Sequence, residues 1–367
     1  MSSVIALSPV HPNPVIAEDI ERVISSGIDW SPLSDCRVLV TGAGGFLPAY
    51  MVEVLLALGR HPEMTNEKPP EVIALVRSES RAWRRFSHHR DNPMLRFLIQ
   101  DVSENLPQDV KPAYVIHAAS PASPKYYRND PVGTIRPNTA GTESLLKRAA
   151  ETNARGFLYF STSEVYGALP EAFIPTREDQ FGVLDPTDPR ACYAEAKRLG
   201  ETICLGWHRQ FGVPAKIVRP FHVYGPGMSL DDGRVFADFV ADILAGRDIT
   251  LLSAGTASRS FCYLSEATEA FFRILLQGEA GHAYNLGNPD GECSISTLAD
   301  TLAALYPEKN LKVRRAERST DSAYMPSTIE RSCPDITRLM SLDWRPRIGI
   351  EQGFGRTIDS FAGETVS

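Results

Sequence analysis

The segment CRVLVTGAGGFLPAYMVEVLLALG, residues 36–59, holds three elements in succession. Residues 37–41 are a compact apolar run suited to a buried strand. Gly42-Ala43-Gly44-Gly45 is a tight turn, and residues 47–58 are apolar at helical spacing. Strand, glycine turn and helix in that order open a dinucleotide-binding sheet: the glycines let backbone approach a pyrophosphate, and the first amides of the helix face it. Gly42, Gly45, Phe46 and Leu47 are the candidate cofactor contacts of this turn. Pro48 stands where the third glycine of such a turn would be. Proline is tolerated in a first helical turn, and it is expected to alter how closely helix and strand pack.

Outward from this unit the alternation continues. Residues 71–76 form a second strand ending at Arg77, where an NAD enzyme usually offers an acid to the adenosine ribose. Arg77, with Arg81 nearby, either meets a 2′-phosphate, which favours NADP, or stacks on adenine or in solvent. Residues 96–100 are a third strand, with Asp101 and Val102 placed to meet the adenine ring. Residues 114–117 are a fourth, running into AASPASPKYY. There the small Ala118, Ala119 and Ser120 admit the cofactor, and Ser123 and Tyr127 are candidate sugar contacts. A long helix is expected over 131–153, containing Asn138, a further cofactor candidate. Residues 157–161 form a strand whose end delivers Thr162, Ser163 and Glu164, and 215–219 form a sixth strand.

After about residue 220 the alternation breaks down. Short helices over 235–245, 266–276 and 295–305 stand between strand-like pieces such as 249–252. The expected fold class is α/β: a Rossmann-type doubly wound parallel sheet with a smaller C-terminal substrate-binding lobe. The expected division is an N-terminal extension at 1–35, a dinucleotide-binding domain at 36–219, and a mainly substrate-binding lobe at 220–361 with segments returning to the first domain. A short amphipathic helix over 17–24 is expected to dock by packing.

The chemistry centres on YFSTSEVYG and DPRACYAEAKRLGE. Tyr193 and Lys197 stand four apart and share one helical face. The Lys197 ammonium is expected to lower the Tyr193 phenol, ordinarily near ~10, towards neutrality. Such a phenolate takes a proton from a sugar hydroxyl while a hydride leaves the same carbon.

Composition sets the outer bounds. The 367 residues are 43% hydrophobic and 23% charged, ordinary for a large globular chain. A net charge of -7 argues against nucleic-acid or anionic-membrane partners. The six cysteines are scattered with no C-x-x-C pair, which fits a reducing compartment and gives no support for a zinc site, so no metal is expected. The beginning lacks a basic region ahead of an apolar run, and no stretch approaches a membrane span, so a cytoplasmic location is expected.

Together TGAGGF, HAAS, Asn138 with Gly141-Thr142, STSEVYG, Tyr193 with Lys197, YGPG, SRSFCYL and SLDWRP resemble the extended short-chain dehydrogenases/reductases that modify nucleotide sugars. Within that family ASPASPKYY, STSEVYG, DPRACYAEAKRLGET and DDGRV are similar to the UDP-glucuronate decarboxylases. The resemblance implies a bound NAD that is recycled, a nucleoside-diphosphate-sugar substrate and a homodimer joined through the helix from Pro131 and the helix carrying Tyr193. It implies that Thr162, Tyr193 and Lys197 relay the proton and hydride at C4, and that Ser163 and Glu164 act beyond C4. It also places His222 near the substrate diphosphate, which the basic Arg234, Arg259 and Arg331 of the C-terminal lobe suit by their charge. Ser163 replaces the aspartate of the 4,6-dehydratases. His222 stands where an asparagine often contacts the diphosphate, Gly227 replaces a frequent arginine, and Arg331 is displaced by one from the position that meets the substrate carboxylate. Decarboxylation, 4-epimerisation or 4,6-dehydration, and a non-catalytic dinucleotide-binding regulator remain the competing readings.

Overall fold

A computed structural model describes residues 10–61, 67–316 and 329–362. Residues 1–9 of the expected extension and residues 62–66 of the loop after the first helix–strand unit lie outside the described residues. The chain enters through α1 (Pro14–Ile24), whose N-cap Asn13 accepts hydrogen bonds from the amides of Val15 and Ile16. Its apolar stripe of Ile16, Ile20, Val23 and Ile24 is buried, so the expected packing role holds. Then follow β1 (Arg37–Thr41), α2 (Phe46–Ala57), β2 (Glu71–Val76), α3 (Glu79–Arg85), β3 (Leu95–Ile99) and β4 (Tyr114–His117). Next come α4 (Pro124–Asn129), α5 (Pro131–Arg136), α6 (Thr142–Glu151), β5 (Gly156–Phe160), α7 (Ala191–Phe211) and β6 (Ala215–Pro220). The remainder holds β7 (His222–Tyr224), α8 (Val235–Leu244), β8 (Ile249–Leu251), β9 (Ser258–Tyr263), α9 (Leu264–Gln277), β10 (Ala283–Leu286), β11 (Glu292–Ser294) and α10 (Ile295–Ala304). It closes with β12 (Val313–Arg315), β13 (Arg331–Ser332), α11 (Thr337–Met340) and α12 (Ile350–Phe361).

The main sheet is seven-stranded in the order β10-β6-β5-β4-β1-β2-β3, and every pairing in it is parallel. Both faces are covered, so alternate residues of one strand enter different cores. Val38 and Val40 of β1 join the cluster beneath α1, α2 and α9, while Leu39 joins the cluster beneath α6 and α7 with Leu145, Leu146 and Cys204. The strand order reverses between β1 and β4, which opens a crevice at the carboxyl ends of the strands. The seventh strand comes late in the chain: β10, after α9, returns to pair with β6. Over that crevice sits a smaller sheet in which β9 pairs with β7, β11 and β13.

The helix expected over 131–153 is interrupted. Residues Pro137–Gly141 form a π-helical turn between α5 and α6. Pro137 has no amide to give to the preceding turn, so the ladder widens there. Pro48 lies in the first turn of α2, where amides have no helical partner in any case, and it is buried.

Candidate active site

A cleft of about 1080 Å³ runs along the carboxyl ends of β1, β2, β4, β5 and β6 and under the smaller sheet. Its floor begins at the glycine turn. Gly42 has φ +66°, and a Cβ there would stand 2.8 Å from the Cα of Ala119. Gly45 caps α2 without a side chain, so the first amides of the helix face the cleft beside Phe46 and Leu47. Arg77, Asp101, Val102, Ala118, Ala119 and Ser120 line the same floor.

Asn138 is buried behind that floor rather than in it. Its Nδ2 donates to the Ser120 hydroxyl at 3.0 Å and to the Thr134 carbonyl at 2.8 Å, so it reaches the cleft only through Ser120. His117 is a second hidden strut. Its ring nitrogens meet the Thr41 hydroxyl at 2.9 Å and the Pro137 carbonyl at 3.1 Å. Burial, with the Lys197 charge nearby, lowers it to about 3, so it is a neutral brace.

At the end of β5, Thr162 caps a short turn by accepting from the Glu164 amide at 3.3 Å. Thr162, Ser163 and Glu164 all line the cleft, facing Tyr193 and Lys197 on the first turns of α7. Thr162 hydrogen-bonds Tyr193. Lys197 is buried, and its ammonium donates to the Phe160 carbonyl, 5.9 Å from the Tyr193 ring. Burial depresses Lys197 to about 7. The expected lowering of the Tyr193 phenol is therefore absent from this arrangement. Burial first and the Glu164 charge second raise it, against the Thr162 hydrogen bond. Lys197 has turned its charge to a backbone carbonyl and is itself partly discharged by desolvation.

Burial raises the Glu164 carboxyl, opposed by the charges of Arg190 and Arg259. Arg190 lies 3.8 Å from Glu164 and was not among the sequence candidates, although it stands in DPRACY directly before α7. Beneath the Thr162–Glu164 turn lies a buried polar network that sequence reasoning also missed. Arg219 of β6 grips Glu201 of α7 at 2.7 and 2.9 Å, and Ser161 donates to the same carboxylate. Arg219 also donates to the Tyr166 hydroxyl at 2.9 Å, which passes a bond to Asn285 at 2.6 Å. An arginine inside the apolar strand AKIVRP was the available signal.

On the substrate side, Ser123, His222, Arg234 and Arg259 line the cleft. Ser123 donates to the Asp232 carbonyl at 2.6 Å, tying its loop to the lobe. Arg234 Nε donates to Asp232 at 2.6 Å, and Arg259 donates to the carbonyls of Ser258 and Ile329, both at 2.7 Å. Burial, then the charges of Arg259 and Arg234, keep His222 neutral.

Two of the substrate candidates fall outside the cleft lining. Tyr127 is buried, stacked on Tyr193 at 4.8 Å with its hydroxyl on the Ala122 carbonyl at 3.1 Å. Consecutive residues of α4 point about 100° apart, and it is Tyr126 that lines the cleft. Arg331 lies outside the cleft lining; Glu292 of β11 holds its guanidinium at 2.7 and 2.9 Å across the smaller sheet.

With this geometry in place, the comparisons with known proteins give the class. The profile of the family described as "NAD dependent epimerase/dehydratase family" matches residues 38–287. UDP-glucuronic acid decarboxylase 6 of Arabidopsis thaliana is 35% identical over 324 residues, 87% of each chain. UDP-glucuronic acid decarboxylase 1 of Danio rerio is 32% identical over 329 residues, 89% of this chain and 73% of that one. Among solved structures, UDP-glucuronic acid 4-epimerase of Bacillus cereus superposes with a TM-score of 0.71 at 22% identity, over 88% of this chain and 98% of that one. The dTDP-glucose 4,6-dehydratase of Streptomyces venezuelae gives 0.73 at 24%, over 89% and 96%. The chain belongs to the NAD dependent epimerase/dehydratase family. It is an enzyme of that family, and NAD is its cofactor. The side-chain-free turn at Gly42 and the uncapped start of α2 fit a dinucleotide. Among the described residues, no helix is long and apolar enough to cross a membrane.

Proposed function

We propose that this enzyme decarboxylates UDP-glucuronate. The observation that carries the reading is that Thr162, Tyr193 and Lys197 share one cleft with Glu164, a carboxylate raised by burial beside Arg190 and Arg259. Its relatives at 32–35% identity over 86–89% of the chain support the same chemistry.

Gly42, Gly45, Phe46, Leu47, Asp101, Val102, Ala118, Ala119 and Ser120 hold NAD, with Asn138 fixing Ser120. NAD held by these residues would supply the acceptor and later the donor of a hydride at C4 of the sugar. Tyr193 takes the proton of the 4-hydroxyl, Thr162 hydrogen-bonds that oxygen, and Lys197 ties the first turns of α7 to the end of β5 through the Phe160 carbonyl, holding Tyr193 in place. The resulting 4-keto acid loses CO2 because the electron pair of the breaking C5–C6 bond spreads onto the C4 carbonyl. Glu164 acts at this stage, on the C5 proton or on the departing carboxylate, with Arg190 beside it and Ser163 next in the chain. His222, Arg234 and Arg259 face the nucleoside diphosphate. Arg77 lines the same floor as Asp101, where it meets the adenosine end of the cofactor.

The enzyme works as a homodimer. Val132 and Ile135 of α5 and Leu199 of α7 are exposed apolar residues on the two helices expected to pair, whereas Leu145 and Leu146 face the sheet. All six cysteines are free thiols, which fits the cytosol.

Incubation with UDP-glucuronate, UDP-glucose and TDP-glucose, with products identified by mass and NMR, tests the reading. UDP-xylose from the first substrate is the expected product. UDP-galacturonate from it, or a 4-keto-6-deoxy sugar from either glucose nucleotide, would replace decarboxylation by epimerisation or dehydration.

A further inference from the structure

Apart from the residues that line the cleft, three segments bring histidines and a carboxylate together. Glu53 is the single charged residue of α2, and it is 5% exposed in a helix that is otherwise apolar or tyrosine. His88 Nε2 lies 3.2 Å from Glu53 Oε2, and His89 Nε2 lies 2.8 Å from the same oxygen. His11, ahead of α1, completes the group, its ring 4.6 Å from that of His88. The ligand atoms of His11, Glu53 and His88 all lie within 4.8 Å of one another.

We propose that His11, Glu53 and His88 bind a divalent transition-metal ion of the zinc type, fastening the segment before α1 onto α2. A buried carboxylate needs a compensating positive charge. Two imidazoles and one carboxylate are a donor set that zinc accepts in tetrahedral geometry, with water as the fourth ligand. Bonds of about 2.0 Å put tetrahedral ligands about 3.3 Å apart, close to the His88–Glu53 separation. The Asn13 amide donates to His11 Nδ1 at 3.1 Å, and ligation through either ring nitrogen replaces that one contact. His89 is the orienting partner. Asn92 sits at 3.3 Å from its Nδ1, leaving Nε2–H to hold the Glu53 carboxylate. None of the four residues lines the catalytic cleft, so the ion is structural. The cysteine pattern gave no hint of this site because its ligands are imidazoles and a carboxylate from three separate segments.

The test uses the untagged full chain, stripped with chelator and titrated with Zn2+ and with Co2+. One ion per chain retained through dialysis, visible four-coordinate Co2+ bands and a melting temperature raised by Zn2+ are expected. His11→Ala and His88→Ala, both near the surface, lose the ion while keeping native circular dichroism and NAD binding. His89→Ala weakens it about 10–100-fold. Absence of stoichiometric metal in the wild type at micromolar Zn2+ overturns the proposal. So does unchanged metal content in the His11→Ala/His88→Ala double variant.

Discussion

The two halves of the cleft are built by different means. On the cofactor half, each contact follows directly from the end of a parallel strand, and backbone does much of the work: Gly42 touches Ala119, and the bare start of α2 faces the cavity. On the substrate half, the candidates are arginines whose direction depends on particular acids and carbonyls, some adjacent in sequence and some from distant segments. Arg234 turns to Asp232, Arg259 to the Ser258 and Ile329 carbonyls, and Arg331 away to Glu292. A site made by backbone is fixed once the strand order is fixed. A site made by long cations is fixed only when every neighbouring acid is in place.

The sharpest break of this comparison lies at the boundary between the halves. Tyr193→Phe is expected to reduce turnover about 10²–10⁴-fold while leaving NAD binding and fold intact. Steady-state rates beside a cofactor titration check it, and a variant keeping a third of the activity removes Tyr193 from the chemistry. Next is the buried network beneath the catalytic turn. Glu201→Gln leaves Arg219 as a buried charge with half its clamp, and is expected to cost about 3–5 kcal/mol in urea unfolding.

A third effect is read from pH. Folding depresses Lys197 to about 7 from an unfolded value near ~10.4, so the unfolded chain binds more protons between those two values. Stability from this group rises with pH across that window by up to about 1.4 kcal/mol per unit; it is lost as pH falls from the unfolded value towards 7, and below 7 this group changes it no further. Subtracting the profile of Lys197→Met isolates it, since Lys216 is also depressed, to about 8. A difference profile flat over the window contradicts the buried lysine. The smallest effect separates the arginines. Arg234→Ala is expected to raise KM for the nucleotide sugar about tenfold or more, whereas Arg331→Ala changes it less than about twofold. Equal effects would return Arg331 to the site.

Strands and catalytic turns were legible because burial on both faces leaves uninterrupted apolar runs, as in 37–41 and 71–76, and because glycine and small residues mark close backbone approach. The return of β10 was not, since AYNL is no more apolar than a loop segment and gains strand geometry only by pairing with β6. The π-turn at Pro137 was readable in principle from the proline, but helical periodicity on both sides masked it. Tyr127 and Tyr126 could not be told apart without the phase of α4, and the Arg331–Glu292 clamp required the pairing of both strands with β9. The direction of Lys197 depends on the Phe160 carbonyl, a backbone atom no side-chain pattern reports.

The central claim is that the sugar oxidised in this cleft is an acid that then loses its carboxylate. Turnover of UDP-glucuronate carrying an isotopic label at C6 tests it most directly. All label leaving as bicarbonate, in step with an unlabelled UDP-pentose, is the predicted result. Label retained in a six-carbon UDP-sugar at full turnover would contradict it.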